Sequence, residues 1–170
     1  MKPLEAIQSI KKRILVKNIM SSKVVNLAPD DSVQKAVEMM SQKNISAVVV
    51  IQKGLVGIIT ERDLVTRVLA KKRDPVKTKI GEVMTSSPII IEGNAPILKA
   101  AADMKKHHVR KLIVMKDDEV IGIVSQTDII NNLSEIDNTY RRLLANPYLA
   151  LVVIAVVIAL YFVGKFIFVR

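Results

Sequence analysis

The chain has 170 residues and a formal net charge of +10, and it contains no cysteine. This length leaves room for one compact unit with an appendage. The absence of cysteine excludes a disulfide framework and a metal site built from thiolates.

Residues 1–14 precede the first recognisable pattern and are predicted to form a short lead-in helix. The start of the chain, Met-Lys-Pro-Leu-Glu, lacks a continuous apolar region. We therefore expect no signal peptide in this segment.

One sequence pattern occurs twice in the chain. Val16-Lys-Asn-Ile-Met20 recurs as Ile80-Gly-Glu-Val-Met84, a shift of 64 positions. After one inserted residue near Asp117, Gly57-Ile-Ile-Thr-Glu-Arg-Asp63 recurs as Gly122-Ile-Val-Ser-Gln-Thr-Asp128, a shift of 65. The repeats cover residues 15–70 and 80–133, with a charged linker at residues 71–79. One repeat alone buries little surface, so we expect the two to pack sheet against sheet around one core.

Each repeat is predicted to contain a strand, a helix, two strands joined by a short polar turn, and a second helix. In the first repeat the predicted positions are Val24–Leu27, a helix through Val33 and Met40, Ala47–Ile51, Leu55–Ile59, and a helix starting at Thr60. In the second they are Ile89–Ile91, a helix through Ile97 and Met104, Leu112–Met115, Val120–Val124, and a helix starting at Ser125. The predicted fold class is therefore α/β, with two β-α-β-β-α repeats.

The order of these motifs resembles a known family. A hydrophobic-Met pair, a β run, Pro-Asp-Asp, Ile-Ser-Ala and Gly-Ile-Ile-Thr-Glu-Arg-Asp63 together look like a cystathionine-β-synthase-type (CBS) domain, and the second copy is similar. The resemblance covers residues 16–133. It implies a regulatory module rather than an enzyme, with AMP, ADP, ATP or S-adenosylmethionine as regulatory ligand and no required cofactor. CBS pairs similar to this one commonly form two-fold dimers, so a homodimer is expected.

Thr60 with Asp63, and Ser125 with Asp128, form the sharpest candidate site. A helix N-terminus with a hydroxyl can hold phosphate, and an acceptor-only carboxylate suits the hydroxyls of a ribose. The resemblance implies that the hydroxyl holds phosphate and the carboxylate holds ribose. The alternative is that each pair is only a helix capping box, and the two roles are compatible.

Two further pairs of residues precede the middle strand of each repeat. Ile45 and Ser46, and Val109 and Arg110, correspond to positions that line the ligand cleft in CBS modules. Arg110 would neutralise a phosphate, whereas Ser46 offers only a hydroxyl. The two clefts are therefore expected to differ.

No catalytic or metal site is predicted. The chain shows no nucleophile with a base, no Walker loop and no metal-ligand spacing. The adjacent His107 and His108 lie in a basic stretch and do not face one site on a helix.

Basic clusters at Lys11-Lys-Arg13 and Lys71-Lys-Arg73 are the basis of an alternative hypothesis, nucleic-acid binding, because Lys and Arg supply affinity for phosphate. Single-strand binders usually add aromatic stacking, and no aromatic residue precedes Tyr140. Attraction to anionic lipid headgroups accounts for the same charge. A membrane-tethered nucleic-acid-binding regulator and a ligand-free dimerisation scaffold stay as alternatives to the nucleotide-binding module.

The C-terminal part is predicted to anchor the protein in a membrane. After a juxtamembrane linker at residues 134–147, Tyr148–Val163 is an uncharged run, which reaches the length of a span by continuing to residue 169 with Lys165 snorkelling. Arg141 and Arg142 favour a cytosolic N-terminal domain. We expect a single-pass helix at residues 148–169 that contacts membrane lipid, and an effector protein in the membrane or cytosol, because the chain carries no output domain.

Overall fold

The computed structural model describes residues 14–134, together with Leu151, Ala155 and Val156, which have helical backbone. Apart from these three residues and residue 14, the predicted lead-in helix and the predicted transmembrane helix at residues 148–169 lie outside the described residues. Among the described residues, no helix has both the length and the apolar character that crossing a bilayer requires. The chain divides into two units, Met1–Ile129 and Ile130–Arg170.

The first repeat forms a three-stranded sheet in the order β1-β2-β3. β1 pairs in parallel with β2, and β2 pairs antiparallel with β3. A helix, α1, makes the crossover that a parallel pair requires. The elements are β1 (Asn26–Leu27), α1 (Val33–Lys43), β2 (Ala47–Ile51), β3 (Leu55–Thr60) and α2, which has an α-helical turn (Glu61–Asp63) and a π-helical segment (Leu64–Leu69).

The second repeat has the same topology, with the strand order β4-β5-β6 and the same parallel and antiparallel pairing. Its elements are β4 (Ile90–Glu92), α3 (Ile97–His107), β5 (Lys111–Lys116), β6 (Glu119–Ser125) and helical residues 126–134, named α4. The predicted α/β pair of β-α-β-β-α repeats is confirmed.

The ends of the two long helices follow from local chemistry. Ser32 caps the N-terminus of α1, since its Oγ accepts a hydrogen bond from the Lys35 N–H at 3.3 Å. Both helices end on a residue in the left-handed region, Asn44 (φ 51°) for α1 and His108 (φ 53°) for α3. His108 thus occupies the turn that ends α3.

The middle strand β2 places alternate side chains in two parts of the core. Val48 and Val50 are fully buried on the helix side, in a cluster that includes residues of α1 and α2. Ala47 and Val49 point the other way and pack with Ile113 of β5. Because this second cluster joins strands of both repeats, the sheets pack against each other as predicted.

A short segment at the start of each repeat crosses to the other repeat. Residues 16–21 are named the first methionine segment, and residues 80–85 the second. In the first, Val16 and Lys17 donate their N–H groups to Ala95 and Gly93 carbonyls, both at 2.9 Å, and Ser21 pairs with a residue of β6.

The second methionine segment makes the reciprocal contacts on the first repeat. Ile80 and Gly81 donate to the carbonyls of Asp31 and Pro29, both at 2.9 Å, and Thr85 pairs with Ile58 in β3. Side chains of this segment, including Ile80, also enter the helix-side core of the first repeat. Each repeat is therefore completed by the other.

The linker at residues 71–79 is mostly exposed but contributes to α1. The Thr78 and Pro75 carbonyls accept hydrogen bonds from the N–H groups of Val33 and Gln34, both at 2.9 Å. Thr78 itself is buried. The linker therefore satisfies two donors at the start of α1 that have no partner within the helix.

Candidate functional site

Thr60 and Asp63 interlock at the start of α2. The Thr60 N–H and hydroxyl both donate to Asp63 Oδ2, at 2.9 and 2.6 Å, and the Asp63 N–H donates back to the Thr60 hydroxyl oxygen at 3.3 Å. This is a reciprocal capping box, in which side chains at both ends of the first turn satisfy backbone donors.

Ser125 and Asp128 make the same contacts at the start of α4. The Ser125 N–H and hydroxyl donate to Asp128 Oδ2 at 2.7 and 2.6 Å, and the Asp128 N–H donates to Ser125 Oγ at 3.2 Å. Both predicted pairs therefore form, and both act as helix caps. Their role in ligand binding stays a prediction.

The second carboxylate oxygen of Asp63 has different partners. Asp63 Oδ1 lies 3.4 Å from Arg67 Nε and 3.5 Å from the hydroxyl of Thr85 in the second methionine segment. Asp63 is only 8% exposed. The first site therefore includes a residue of the other repeat, and its carboxylate is screened from solvent.

Arg67 extends this contact to the backbone of the second methionine segment. Its Nη1 donates to the carbonyl oxygens of Val83 and Met84, at 2.9 and 2.6 Å. Reasoning from the sequence missed Arg67 and Thr85. Arg67 follows Asp63 by four residues, the spacing of a helical ion pair, which is a usable signal. Thr85 has no local signal, because only the crossing of the segment brings it near Asp63.

The backbone carbonyls of Ser46 and Arg110 lie beside the two helix starts. The Ser46 carbonyl accepts a hydrogen bond from the Glu61 N–H at 3.3 Å, and the Arg110 carbonyl accepts one from the Gln126 N–H at 2.9 Å. Each contact satisfies another N–H of the first helical turn. The backbone before the middle strand is thus joined to the motif helix in both repeats.

Ile45 and Val109 are both half-buried, and each donates its N–H to a methionine carbonyl of the preceding helix at 3.0 Å. The Arg110 side chain is exposed, whereas Ser46 is half-buried. The two repeats therefore differ in side-chain charge and exposure at this position, and the predicted difference between two ligand clefts stays a prediction.

A cleft of about 500 Å³ lies between α1 and the start of α2. Its lining consists of Val37, Met40, Ser41, Asn44, Ile45, Ser46, Glu61 and Leu64. It contains two of the predicted site residues, Ile45 and Ser46, but not Thr60 or Asp63. Asp63 Oδ1 instead lies near Thr85 of the second methionine segment.

His107 and His108 are exposed at the end of α3. In the part of the chain that the structure describes, no three His, Asp or Glu side chains are grouped so that they could hold a metal ion.

Sequence and structure comparisons agree on one family. The CBS domain model matches residues 16–70 and 80–135. The chain is 31% identical over 121 residues to CBS domain-containing protein YhcV of Bacillus subtilis, covering 70% of this chain and 86% of that protein.

Two solved structures have the same fold. The CBS domain pair of protein MJ0100, in complex with 5′-methylthioadenosine and S-adenosyl-L-methionine, matches with a TM-score of 0.66 and 29% identity over 72% of this chain and 97% of that chain. Hypoxic Response Protein I with two coordinated zinc ions matches with a TM-score of 0.61 and 27% identity, over 69% of this chain and 98% of that one. The chain belongs to the CBS domain family, and its two repeats form a tandem CBS pair.

Proposed function

We propose that this CBS pair binds an adenine nucleotide or a related adenosyl compound and thereby modulates a partner protein. CBS domain proteins are generally regulatory. The similar pair of MJ0100 holds two adenosyl compounds, 5′-methylthioadenosine and S-adenosyl-L-methionine. These observations support a regulatory ligand of the same class here.

The observation that carries the proposal is the matching geometry of the Thr60–Asp63 and Ser125–Asp128 pairs. In both, Oδ2 of the aspartate accepts the capping hydrogen bonds. Oδ1 is then the acceptor toward which ribose hydroxyls would donate. A carboxylate that is fixed by its cap loses little conformational entropy when a ligand binds.

Charge distinguishes the two sites toward phosphate. The exposed Arg110 side chain projects from the residue whose carbonyl meets the start of α4. A guanidinium at this position favours a phosphorylated nucleotide at the second site. Ser46, its counterpart at the first site, offers no charge at this position, so we expect the two sites to differ in their preference for phosphate.

A ligand-free scaffold is the second candidate, and the capping contacts favour it. Both hydroxyl–carboxylate pairs satisfy each other and their helix starts without any ligand. In that case the pairs stabilise the fold and do nothing more.

Calorimetry separates the two candidates. Full-length protein is titrated with AMP, ATP, S-adenosylmethionine and 5′-methylthioadenosine, with melting temperatures measured in parallel. We expect at least one compound to bind and to raise the melting temperature. Lack of binding of all four at millimolar concentration supports the scaffold.

We further propose that the module self-associates and is tethered to a membrane with its N-terminal domain in the cytosol. Val65 and Leu69 on α2 are more than half exposed, which supports a protein contact on this helix. The uncharged run at residues 148–163 supports an anchor, and Leu151 and Val156 within it are 61% and 52% exposed. Lipid and an effector protein are the partners that this arrangement requires.

A further inference from the structure

Arg67 joins the carboxylate of the first site to the backbone of the other repeat. Its Nε lies 3.4 Å from Asp63 Oδ1, while its Nη1 donates to two carbonyls of the second methionine segment, at 2.9 and 2.6 Å. One guanidinium can do both because its donors form a rigid planar fork. Arg67 therefore links the Asp63 carboxylate directly to the backbone of the second methionine segment.

We propose that Arg67 competes with a bound ribose for Asp63 Oδ1, so that occupation of the first site releases the second methionine segment. This inference rests on the proposed adenosyl binding. Asp63 Oδ2 is engaged by two short hydrogen bonds from Thr60, at 2.9 and 2.6 Å. Oδ1 has only the longer contacts of Arg67 and Thr85, at 3.4 and 3.5 Å.

Because Asp63 is buried, a ribose hydroxyl has to displace a group that contacts Asp63 Oδ1 and cannot simply add to the existing contacts. With 8% of the residue exposed, a ribose hydroxyl reaches Oδ1 only after a neighbouring group moves. Arg67 is able to move, since its side chain is 45% exposed and can enter solvent. Thr85 is held more firmly, because its backbone exchanges two hydrogen bonds with Ile58, at 2.9 and 3.1 Å.

Departure of Arg67 also removes its hydrogen bonds to the Val83 and Met84 carbonyls. The segment then loses its tie to α2, and its pairing with Ile58 opens more often. A ligand in the first repeat thereby loosens a segment that belongs to the second. This is a coupling between the site and the contact of the two repeats, because the ligand competes with Arg67 for Asp63 Oδ1 and Arg67 also binds the segment.

The second site differs at the matching sequence position. With the shift of 65 that aligns Asp63 with Asp128, Arg67 aligns with Asn132, which carries no charge. The competition by an internal cation is thus a property of the first site. This difference between the sites concerns the ribose of the ligand, whereas the difference between Ser46 and Arg110 concerns its phosphate.

The test uses full-length protein carrying Asp128→Ala, so that binding reports on the first site. The probe is 5′-methylthioadenosine, which has no phosphate and so cannot gain affinity from Arg67 as a phosphate partner. We expect Arg67→Gln to tighten binding by about fivefold, the equivalent of about 1 kcal/mol for one lost competing contact. Arg67→Lys keeps a cation but lacks the planar fork of the guanidinium. Its affinity for 5′-methylthioadenosine should lie between that of the protein with Arg67 and that of Arg67→Gln.

Arg73→Gln is the matched control. Arg73 also pairs with a residue of the second methionine segment, since its Nη1 lies 3.2 Å from Glu82 Oε2, but it makes no contact with Asp63. We expect binding of 5′-methylthioadenosine to Arg73→Gln to stay within twofold of the parent. The same loss of one arginine charge is thereby compared at two positions.

Hydrogen exchange of the Thr85 amide, which donates to the Ile58 carbonyl at 2.9 Å, gives the second readout. Saturating 5′-methylthioadenosine should speed its exchange when Arg67 is present. In Arg67→Gln the exchange should be fast already and should change little with ligand. Arg73→Gln should behave like the parent.

The outcomes are distinguishable. Equal or weaker binding by Arg67→Gln, or unchanged Thr85 exchange in all proteins, overturns the role of Arg67 and leaves the proposed function standing. If Asp128→Ala alone abolishes binding, recovery in the Arg67→Gln double variant supports the competition, and continued absence of binding contradicts it. Failure of the unmutated protein to bind any adenosyl compound removes the proposed function and this inference together.

Discussion

Met84 of the second repeat lies against Gly57 of the first, in a space that has no room for a side chain at position 57. A Cβ at Gly57 would lie 2.8 Å from Met84 Sδ and 2.7 Å from the Thr85 carbonyl oxygen. Met20 and Gly122 repeat this relationship, with a Cβ at Gly122 only 2.5 Å from Met20 Sδ. The two glycines therefore allow the methionine segments to cross between repeats.

Gly57→Ala and Gly122→Ala are expected to destabilise the protein by about 1–3 kcal/mol, because overpacking displaces neighbouring groups. The Thr85 carbonyl cannot easily retreat from Gly57, since it accepts a hydrogen bond from the Ile58 N–H. Urea denaturation of both variants measures the loss. Gly81→Ala is the control, because the nearest atoms there lie 3.3 Å away in Pro29. A loss in Gly81→Ala as large as in the other two would contradict this explanation.

Self-association is predicted to depend on the exposed apolar residues of α2. Val65→Glu combined with Leu69→Glu should lower the molar mass measured by light scattering toward that of a monomer, because burying two carboxylates in an interface is costly. Val76→Glu, at an exposed valine in the linker, is the control and should leave the mass unchanged. A monomer mass for the unmutated protein would refute the dimer, and a dimer of the double variant would place the contact elsewhere.

The acid stability of the first repeat is predicted to depend on Asp31. The Lys35 ammonium, which donates to Asp31 Oδ1 at 2.7 Å, lowers the pKa of this carboxyl below its ordinary 3.8, and the Ala28 N–H adds to the effect. A lowered pKa means that the ionised carboxylate stabilises the native state above about pH 4, and that this contribution is lost as the pH falls through the native pKa.

Asp31→Asn should therefore lower the melting temperature near pH 7, and this difference should shrink as the pH is lowered toward about 2.5, because the parent loses its charge as the pH falls through the native pKa. Glu38→Gln, in the adjacent helix α1, is the comparison variant. If the difference in melting temperature between the parent and Asp31→Asn is the same at every pH in this range, the ion pair with Lys35 contributes nothing to stability.

The strands and helices could be predicted because their signals are local. β2 was predicted residue for residue at Ala47–Ile51, since a short β-branched run between turn signals is typical of a buried strand. The caps at Thr60 and Ser125 also follow from nearby residues. The fold class followed from these elements together with the repeat.

The contacts between the repeats could not be predicted in this way. Thr85 reaches Asp63, and Met84 reaches Gly57, only because the second methionine segment crosses to the first repeat. No periodicity within one repeat encodes that crossing. The same crossing places Thr85 beside Asp63, which does not line the cleft that contains Ile45 and Ser46.

The membrane anchor is tested by partition. Full-length protein is expected to remain with membranes after carbonate extraction, and a chain ending at Asn146 should be soluble, because it lacks the uncharged run that begins at Tyr148. Val156→Arg should weaken retention, since a charge near the middle of a span is costly. Full-length protein recovered without detergent in the soluble fraction would show that the run is not an anchor.

The last prediction separates capping from ligand binding at Asp63 and Asp128. If both carboxylates hold ribose hydroxyls, Asp63→Ala and Asp128→Ala should each remove charge-assisted hydrogen bonds of about 1.5–3 kcal/mol at their own site, or roughly tenfold to a hundredfold in affinity. If they only cap helices, each variant should melt at a lower temperature by a few degrees and bind as before. Thr60→Ala and Ser125→Ala supply the comparison, because they remove the cap hydroxyl and keep the carboxylate.

The two single aspartate variants should also differ in ligand preference, because only the second site has Arg110 beside it. Asp128→Ala should therefore weaken the binding of AMP and ATP more than Asp63→Ala does. Calorimetry with AMP, ATP and 5′-methylthioadenosine, together with melting temperatures, measures both effects in the same samples. Unchanged affinity in the double variant, with a melting temperature lowered as in the hydroxyl variants, would assign both aspartates to the caps alone.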